Sequence, residues 1–452
     1  MDEQADVRNL GTWGRKKTLS LFGFGQFSRS LIWCVTDLLI AFHLNVRVGI
    51  AGETVGVILF LSFALGAALD LAVAGVVARL GEPLRVALQL QAFAGCATVV
   101  TAIFLFAPPP GVGGLATLAY FAIASILFRT AYTIFDVTQN ALTSLLPADL
   151  EQLRSYVTIR TVVSSLGRLC ASCLVFYALR NSSSSSADLE VVVLIGIPVG
   201  LSVISLARVR VPPLATPRVG AGVGVRWRSL PYRKLAPLVA ATIFEVGLLG
   251  VTGRLLPFFG VHQSASAQGS ALVVAMVCGT VAGPVLVARF SRPDESGRVA
   301  LLLASIGAGA AVGLLAEGSY FANLVLATLY GASATGIASI IWQRVGQLVR
   351  EEAALSGTRI DLVAFAVLTA STKLALALSS ALLGTVLAGF EAGAPRSLLL
   401  IAVLSVAGGI GTASALALQR FWPVGAVFAE QETGYRQRPV LTVETSTKHS
   451  QG

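Results

Sequence analysis

Charge is what this sequence is short of. Only 12% of its 452 residues are Asp, Glu, Lys or Arg, against 55% hydrophobic, and the mean hydropathy is +0.78. A soluble globular domain carries roughly 25% charged residues to face water, so this balance excludes one. Histidine (3), methionine (2) and cysteine (5) are also scarce. The cysteines (Cys34, Cys96, Cys170, Cys173 and Cys278) all fall in apolar stretches and imply no disulfide framework. Cys170 and Cys173 form a C-x-x-C pair, but a metal needs further ligands and none lies nearby in sequence, so no metal site is expected. His43 and His262 fall near the ends of apolar stretches, where interfacial places are expected for them. The sequence holds no Walker loop, dinucleotide fingerprint or nucleophile elbow with its partners. ATP drive, hydrolase chemistry and a bound cofactor are therefore not expected.

What the chain does have is long apolar runs. A membrane span needs roughly 20 mostly apolar residues. Twelve are placed, at about 19–43, 54–78, 84–107, 115–140, 157–179, 189–209, 236–260, 269–288, 299–318, 320–343, 362–389 and 397–419. The first follows Arg15-Lys16-Lys17 and is longer than a signal-peptide core, so it reads as a retained helix. An even number of spans puts both termini on one side. On that side the segments between spans hold 24 of the 33 basic residues; the other side holds only Arg47, Arg180 and Arg396. The positive-inside rule then predicts cytoplasmic termini and an inner cell membrane. It also accounts for the net charge of +10 without nucleic acid. Pairs such as Gly23/Gly25 and Gly279/Gly283 suit close helix packing better than hinges.

Residues 210–235, with Pro212-Pro213, Pro217 and Arg226-Trp-Arg228, divide the spans into two blocks of six. The expected organisation is a cytoplasmic N-terminus (1–18), a six-helix half (19–209), a central cytoplasmic loop (210–235), a second six-helix half (236–420) and a cytoplasmic tail (421–452). Ser182 to Ser186 is a low-complexity outer loop. Two six-helix halves joined by a basic loop are the architecture of the major facilitator superfamily, whose substrate sites lie near the midplane between halves. No sequence repeat relates the halves, so the expected fold, an all-α membrane protein of twelve transmembrane helices, rests on the count of spans.

Charges inside the spans carry the functional signal. The acids are Asp37, Asp70, Asp136 and Glu245; the bases are Arg29, Arg129, Arg160, Arg168, Arg254 and Lys373. Each costs at least about 2.5 kcal/mol at the centre of a lipid-facing helix, so it must turn inward or pair. Arg129, Tyr132 or Thr133, and Asp136 share one face of the fourth helix, and Ser30, Trp33 and Asp37 share one face of the first. Structural ion pairs that lock helices together are the plain alternative for any one of them.

Several of these residues sit in recognisable surroundings. Phe22-Gly-Phe-Gly-Gln-Phe-Ser-Arg29 resembles the first-helix motif of the glycoside-pentoside-hexuronide:cation symporters, the melibiose permease-like branch of the superfamily. Tyr132-Thr-Ile-Phe-Asp136 is similar to that family's fourth-helix motif, and Arg160 with Gly167 to its fifth-helix Arg and Gly. Gly357-Thr-Arg359 followed by Lys373 resembles its G-x-R loop and eleventh-helix Lys. The resemblance implies that Asp136 and Arg160 hydrogen-bond substrate. It implies that Asp70 is linked to a cation or proton, that Thr133 adds a hydroxyl to a sodium site, and that Lys373 approaches this cluster from the other half. Tyr132, Arg129, Trp33 and Ser30 complete the expected substrate surface.

The departures bear on substrate and ion. Gly66 stands where the family has the first of two second-helix acids, and Ser30 where it has a sugar-binding Asp; Leu71 replaces a proline, and Thr138-Gln139-Asn140 an aromatic. Asp37 is the candidate substitute on the face of Ser30. A lone Asp70 favours a proton over sodium, since a buried carboxylate neutralises by taking one up. Four acids against six bases leave an excess of positive charge that an anionic solute would relieve. Bases that cap helices or snorkel explain it equally well. The expected function is therefore cation-coupled symport of a sugar-like or anionic organic solute, by a monomer in the bilayer. An efflux carrier for a metabolite or drug and a non-transporting receptor-like protein are the alternatives. A membrane-embedded transferase lacks a paired acid site or metal cluster.

Overall fold

The computed structural model describes residues 2–77, 83–109, 114–146, 150–180, 186–207, 230–262, 266–290, 296–316, 319–356, 360–391 and 396–419. These residues form twelve helical rods and, among themselves, no strand. They are α1 (Asp2–Phe42), α2 (Gly52–Val77), α3 (Pro83–Phe106), α4 (Leu115–Leu145), α5 (Leu150–Arg180) and α6 (Ala187–Ala207) in the first half. The second half begins with α7, an α-helix at Tyr232–Thr242, a π-helical stretch at Ile243–Leu249 and a further α-helix at Gly250–His262. It continues with α8 (Ser266–Phe290), α9 (Ser296–Gly313), α10 (Tyr320–Ser356), α11 (Asp361–Glu391) and α12 (Arg396–Leu418). Eleven rods are long and apolar enough to cross a membrane, and the shorter apolar helix Gly297–Gly313 accounts for the remaining span.

Every expected span has its helix, but several helices outrun their apolar cores. α5 begins at Leu150 rather than 157, and α10 runs to Ser356 rather than 343, because backbone hydrogen bonding continues past the hydrocarbon while a hydropathy count stops there. Large apolar side chains such as Phe93, Leu115 and Phe321 are 74%, 82% and 75% exposed. On a soluble protein such a surface would aggregate; around a bundle in lipid it faces hydrocarbon. Serines and threonines inside the helices close hydrogen bonds on their own preceding turn, as Thr36 does to the Ile32 carbonyl at 2.7 Å and Thr98 to that of Ala94 at 2.7 Å. In hydrocarbon each polar group needs such an internal partner.

The halves meet along two helix pairs, α2 with α11 and α5 with α8. Call the end of the bundle where α1 gives way to α2 the distal end, and the opposite one the proximal end. Near the distal end α2 and α11 come into backbone contact, since a Cβ on Gly384 would lie 2.8 Å from the Gly56 Cα and 2.8 Å from the Gly52 carbonyl oxygen. Within the second half, a Cβ on Gly283 would lie 2.9 Å from the Gly336 nitrogen on α10, so this glycine serves close packing as expected. The stretches Gly357-Thr-Arg359, Ser182–Ser185, the loop 208–229 and the tail from 420 lie outside the described residues.

Candidate functional site

Midway through the bundle, Lys373 of α11 reaches across to the first half. Its Nζ donates to Asp70 Oδ1 of α2 at 2.5 Å and to Thr133 Oγ1 of α4 at 3.2 Å, and lies 3.5 Å from Asp136 Oδ2. Lys373 is 2% exposed and Asp70 0%. An ammonium ion fits here because three oxygens converge on its three protons and two of them carry charge. Asp136 in turn accepts from Arg29 of α1 and, at 3.1 Å, from the Asn140 amide one turn along α4. Asn140 then accepts from Arg160 of α5 at 3.1 Å, and the Arg160 guanidinium lies 4.6 Å from the centre of the Trp342 ring on α10. Trp342 is stacked on Phe365 of α11 at 5.6 Å. Four helices of one half, α1, α2, α4 and α5, and two of the other thus contribute to the chain Asp70, Lys373, Asp136, Asn140, Arg160 and its neighbours; beside it, Gln91 of α3 donates to Gln139 of α4.

A second group lies between this cluster and the distal end. Arg129 of α4 is 1% exposed, and none of its three guanidinium nitrogens has a hydrogen-bond partner among the described residues. Its charge rests on aromatic faces instead, with Phe63 at 3.7 Å, Trp33 at 5.2 Å and Phe128 at 5.6 Å. Rings stabilise a guanidinium by a few kcal/mol at most, roughly 2 when desolvated, which is less than an acceptor would. The same Phe63 ring lies 5.0 Å from the guanidinium of Arg254 on α7. Arg254 donates to Asp37 Oδ1 of α1 at 2.7 Å and to Ser380 Oγ of α11 at 2.5 Å. Just distal to it, Phe42 and Phe258 pack with ring centres 5.8 Å apart. The structure also accounts for Gly66: a Cβ there would sit 3.2 Å from both Arg129 Cγ and Thr133 Oγ1, so the Arg129 stem occupies the space beside the position where an acid is expected.

Most of the residues expected from sequence come together, and the exceptions are informative. Asp70, Asp136, Thr133 and Lys373 form one cluster; Arg160 joins it through Asn140; Trp33, Arg129 and Asp37 form the distal group. Tyr132 is buried between Trp33 at 4.9 Å and Phe128 at 6.1 Å. Ser30 instead faces α5, where a Cβ on Gly167 would lie 3.1 Å from its own Cβ; it separates from Trp33 and Asp37 because α1 turns this side to a helix neighbour. Arg168 donates to Ser165 at 3.4 Å on its own helix. His43, near the end of its span, is buried within the protein: it is 4% exposed and its Nδ1 lies 2.8 Å from Asp188 Oδ2, which Arg47 also approaches at 3.4 Å. The acid stands on α6 of the same half, and its carboxylate meets the imidazole nitrogen in that buried place. Arg29, Asn140, Phe63 and Trp342 were not assigned to the site from sequence. Phe63 was within reach of such reading, since it lies seven residues before Asp70 on one helix face. A groove of about 470 Å³ bordered by Phe27, Leu31, Cys170, Cys173 and Pro198 is apolar and lies away from both groups. Among the described residues no cluster of metal-ligating side chains occurs.

Two helical halves with charged groups shared across their midplane define a secondary transporter of the alternating-access kind. A family model described as MFS/sugar transport protein matches residues 21–404, and the chain belongs to that family of the major facilitator superfamily. It is therefore a multi-pass membrane transporter for a small solute. No curated protein matches the sequence. Among solved structures it is similar to a D-xylose-proton symporter at 15% identity and TM-score 0.63, over 88% of this chain and 96% of that one. It is similar to the nucleoside transporter NupG at 14% identity and TM-score 0.61, over 89% and 98%. A variant of the fucose:proton symporter FucP of E. coli matches at 13% identity and TM-score 0.55, over 90% and 98%. At these identities the likeness is one of fold.

Proposed function

We propose that the chain is a proton-coupled symporter for an organic anion or acidic sugar-like solute, of the branch its helix motifs resemble. The observation that carries this reading is Lys373 held at once by Asp70 and Asp136 across the interface of the halves. A proton taken up by Asp70 withdraws one of its two anionic partners, and a solute hydrogen-bonded to Asp136 and Arg160 competes for the other. Each event loosens the bridge, and both together free the halves 19–209 and 236–420 to rock. The fucose and xylose carriers of like fold are named as proton symporters, which agrees with this choice of ion. The anionic solute is favoured by the guanidinium of Arg129, which has no hydrogen-bond acceptor among the described residues. With the termini in the cytoplasm, as the distribution of Lys and Arg argues, the distal end faces outward and uptake is the direction proposed.

The test is purified protein in liposomes, given a panel of neutral sugars, uronides and other organic anions under imposed proton or sodium gradients. Proton-driven accumulation of an acidic solute is the expected result, lost in Asp70→Asn while solute exchange persists. Selective transport of a neutral glycoside, or undiminished gradient-driven uptake by Asp70→Asn, would discard the reading.

A further inference from the structure

Of the acids within the spans, the proposed cycle uses Asp70 and Asp136, Asp37 is paired with Arg254, and Glu245 is left without a partner among them. It lies on α7 in the π-helical stretch Ile243–Leu249 and is 6% exposed. Among the described residues its carboxylate makes neither a hydrogen bond nor an ion pair. The contrast is Glu351, 3% exposed in the same half, which has Lys234 at 3.1 Å. A carboxylate without donor or cation is costly to keep ionised in an apolar interior.

Among the described residues, the surroundings offer no other source of compensation. From α10 the titratable neighbour is Tyr330. On its own helix Arg254 is committed to Asp37 and Ser380, and on α11 Lys373 is committed to Asp70, Asp136 and Thr133. α12 and α9 present glycines: Cβ atoms on Gly408 and Gly307 would lie 2.6 Å from the Leu249 nitrogen and 3.3 Å from its Cδ2. The charged ends of these two helices, Arg396 and Arg298, stand at or near their first residues.

The backbone here departs from a regular α-helix. π-helical turns are rare and cluster at functional sites. Immediately beyond this one, the Tyr330 hydroxyl donates to the Leu249 carbonyl at 2.8 Å and accepts from the Gly253 nitrogen at 3.2 Å. A side chain that enters the helical ladder in this way marks a point of bending. It separates Glu245 from Arg254, the residue that ties α7 to the first half. On the other flank, a Cβ on Gly247 would lie 3.4 Å from the Ala375 carbonyl oxygen of α11, two residues from Lys373.

We propose that Glu245 is a proton-binding site of the second half, protonated while α7 is packed as here and releasing its proton to water when the Tyr330 bridge opens. The release leaves a carboxylate that keeps the turn hydrated until a proton returns. This deepens the proton-coupled reading above by adding a site opposite Asp70.

Infrared difference spectroscopy on the full-length protein in lipid nanodiscs reads the carboxyl group directly, with the proton as the only ligand. The expected result at neutral pH is a protonated-carboxyl C=O band that is retained in Asp70→Asn and lost in Glu245→Gln. A band that survives in Glu245→Gln overturns the proposal. Tyr330→Phe keeps the ring, removes the bridge and covers the case of a Glu245→Gln protein that does not fold. Its band is expected to shift in D2O several-fold faster than in the parent, and an unchanged exchange rate overturns the proposal. Because no solute is needed, this outcome is separate from the Asp70→Asn transport assay that decides the symport reading.

Discussion

Arg254 of α7 and Asp37 of α1 form an ion pair of 2.7 Å that joins the two halves on the distal side of the bundle. Their side chains are 10% and 20% exposed, so water screens the pair only in part. A hydrogen bond to a charged group contributes about 1.5–3 kcal/mol. Asp37→Asn is therefore expected to shift the equilibrium between distally closed and distally open states by roughly 10- to 100-fold toward opening. Spin labels at Val46 and Phe321, exposed positions near the distal ends of α1 and α10, measure it. A distance distribution unchanged by Asp37→Asn would show that the pair does not hold this gate.

The contact between Gly56 and Gly384 should act in the same sense for a different reason. Any side chain at 384 meets backbone, with the Gly56 Cα and the Gly52 oxygen both 2.8 Å from the new Cβ. Backbone cannot step aside as a flexible side chain can, and overpacking of this kind costs about 1–3 kcal/mol. The strain exists only when α2 and α11 are closed, so Gly384→Ala should raise the distally open population and slow transport without lowering the unfolding temperature of the protein in detergent. Full transport by Gly384→Leu would refute it.

The outline of this molecule was legible in the sequence because hydrocarbon leaves few choices. Runs of about 20 apolar residues must be helices there, and charges such as Asp70, Asp136 and Lys373 must face inward. What could not be read was which charge meets which. Arg29, with no assigned task, is the group that pairs with Asp136, and Ser30 beside it faces Gly167; helical periodicity fixes which residues share a face of α1 but not which neighbouring helix that face meets. The π-turn in α7 was equally invisible, since Phe244, Glu245 and Val246 carry no signal that separates a π from an α turn.

Lys373 should be costlier to lose than either of its acids. Lys373→Met leaves Asp70 and Asp136 without their shared cation, and breaking a buried pair from one side costs about 3–5 kcal/mol. Asp70→Asn keeps a polar group beside the ammonium ion and leaves Asp136 in place, so its cost should be smaller. In Asp70→Asn/Lys373→Met the orphaned charge is gone and part of the lost stability should return, a non-additivity expected of residues in contact. Thermal unfolding of the four proteins in one detergent gives the cycle. Additive losses would mean that the pair seen here contributes nothing to the folded state.

Arg129 separates a structural from a transport role by the sign of one change. Its guanidinium is buried without a hydrogen-bond acceptor among the described residues and leans on Phe63, Trp33 and Phe128. Replacement by leucine removes a charge from an apolar place and, among the described residues, breaks no hydrogen bond, so it should be neutral or stabilising. Arg129→Leu is thus expected to unfold at the same or a higher temperature than the parent while accumulating an acidic solute at least about tenfold more slowly, the loss of some 1.4 kcal/mol of binding. Arg129→Lys should recover part of the uptake, because it restores charge but not the planar fork. If Arg129→Leu were destabilised yet transported at the parental rate, the residue would be a packing element whose charge the rings alone sustain.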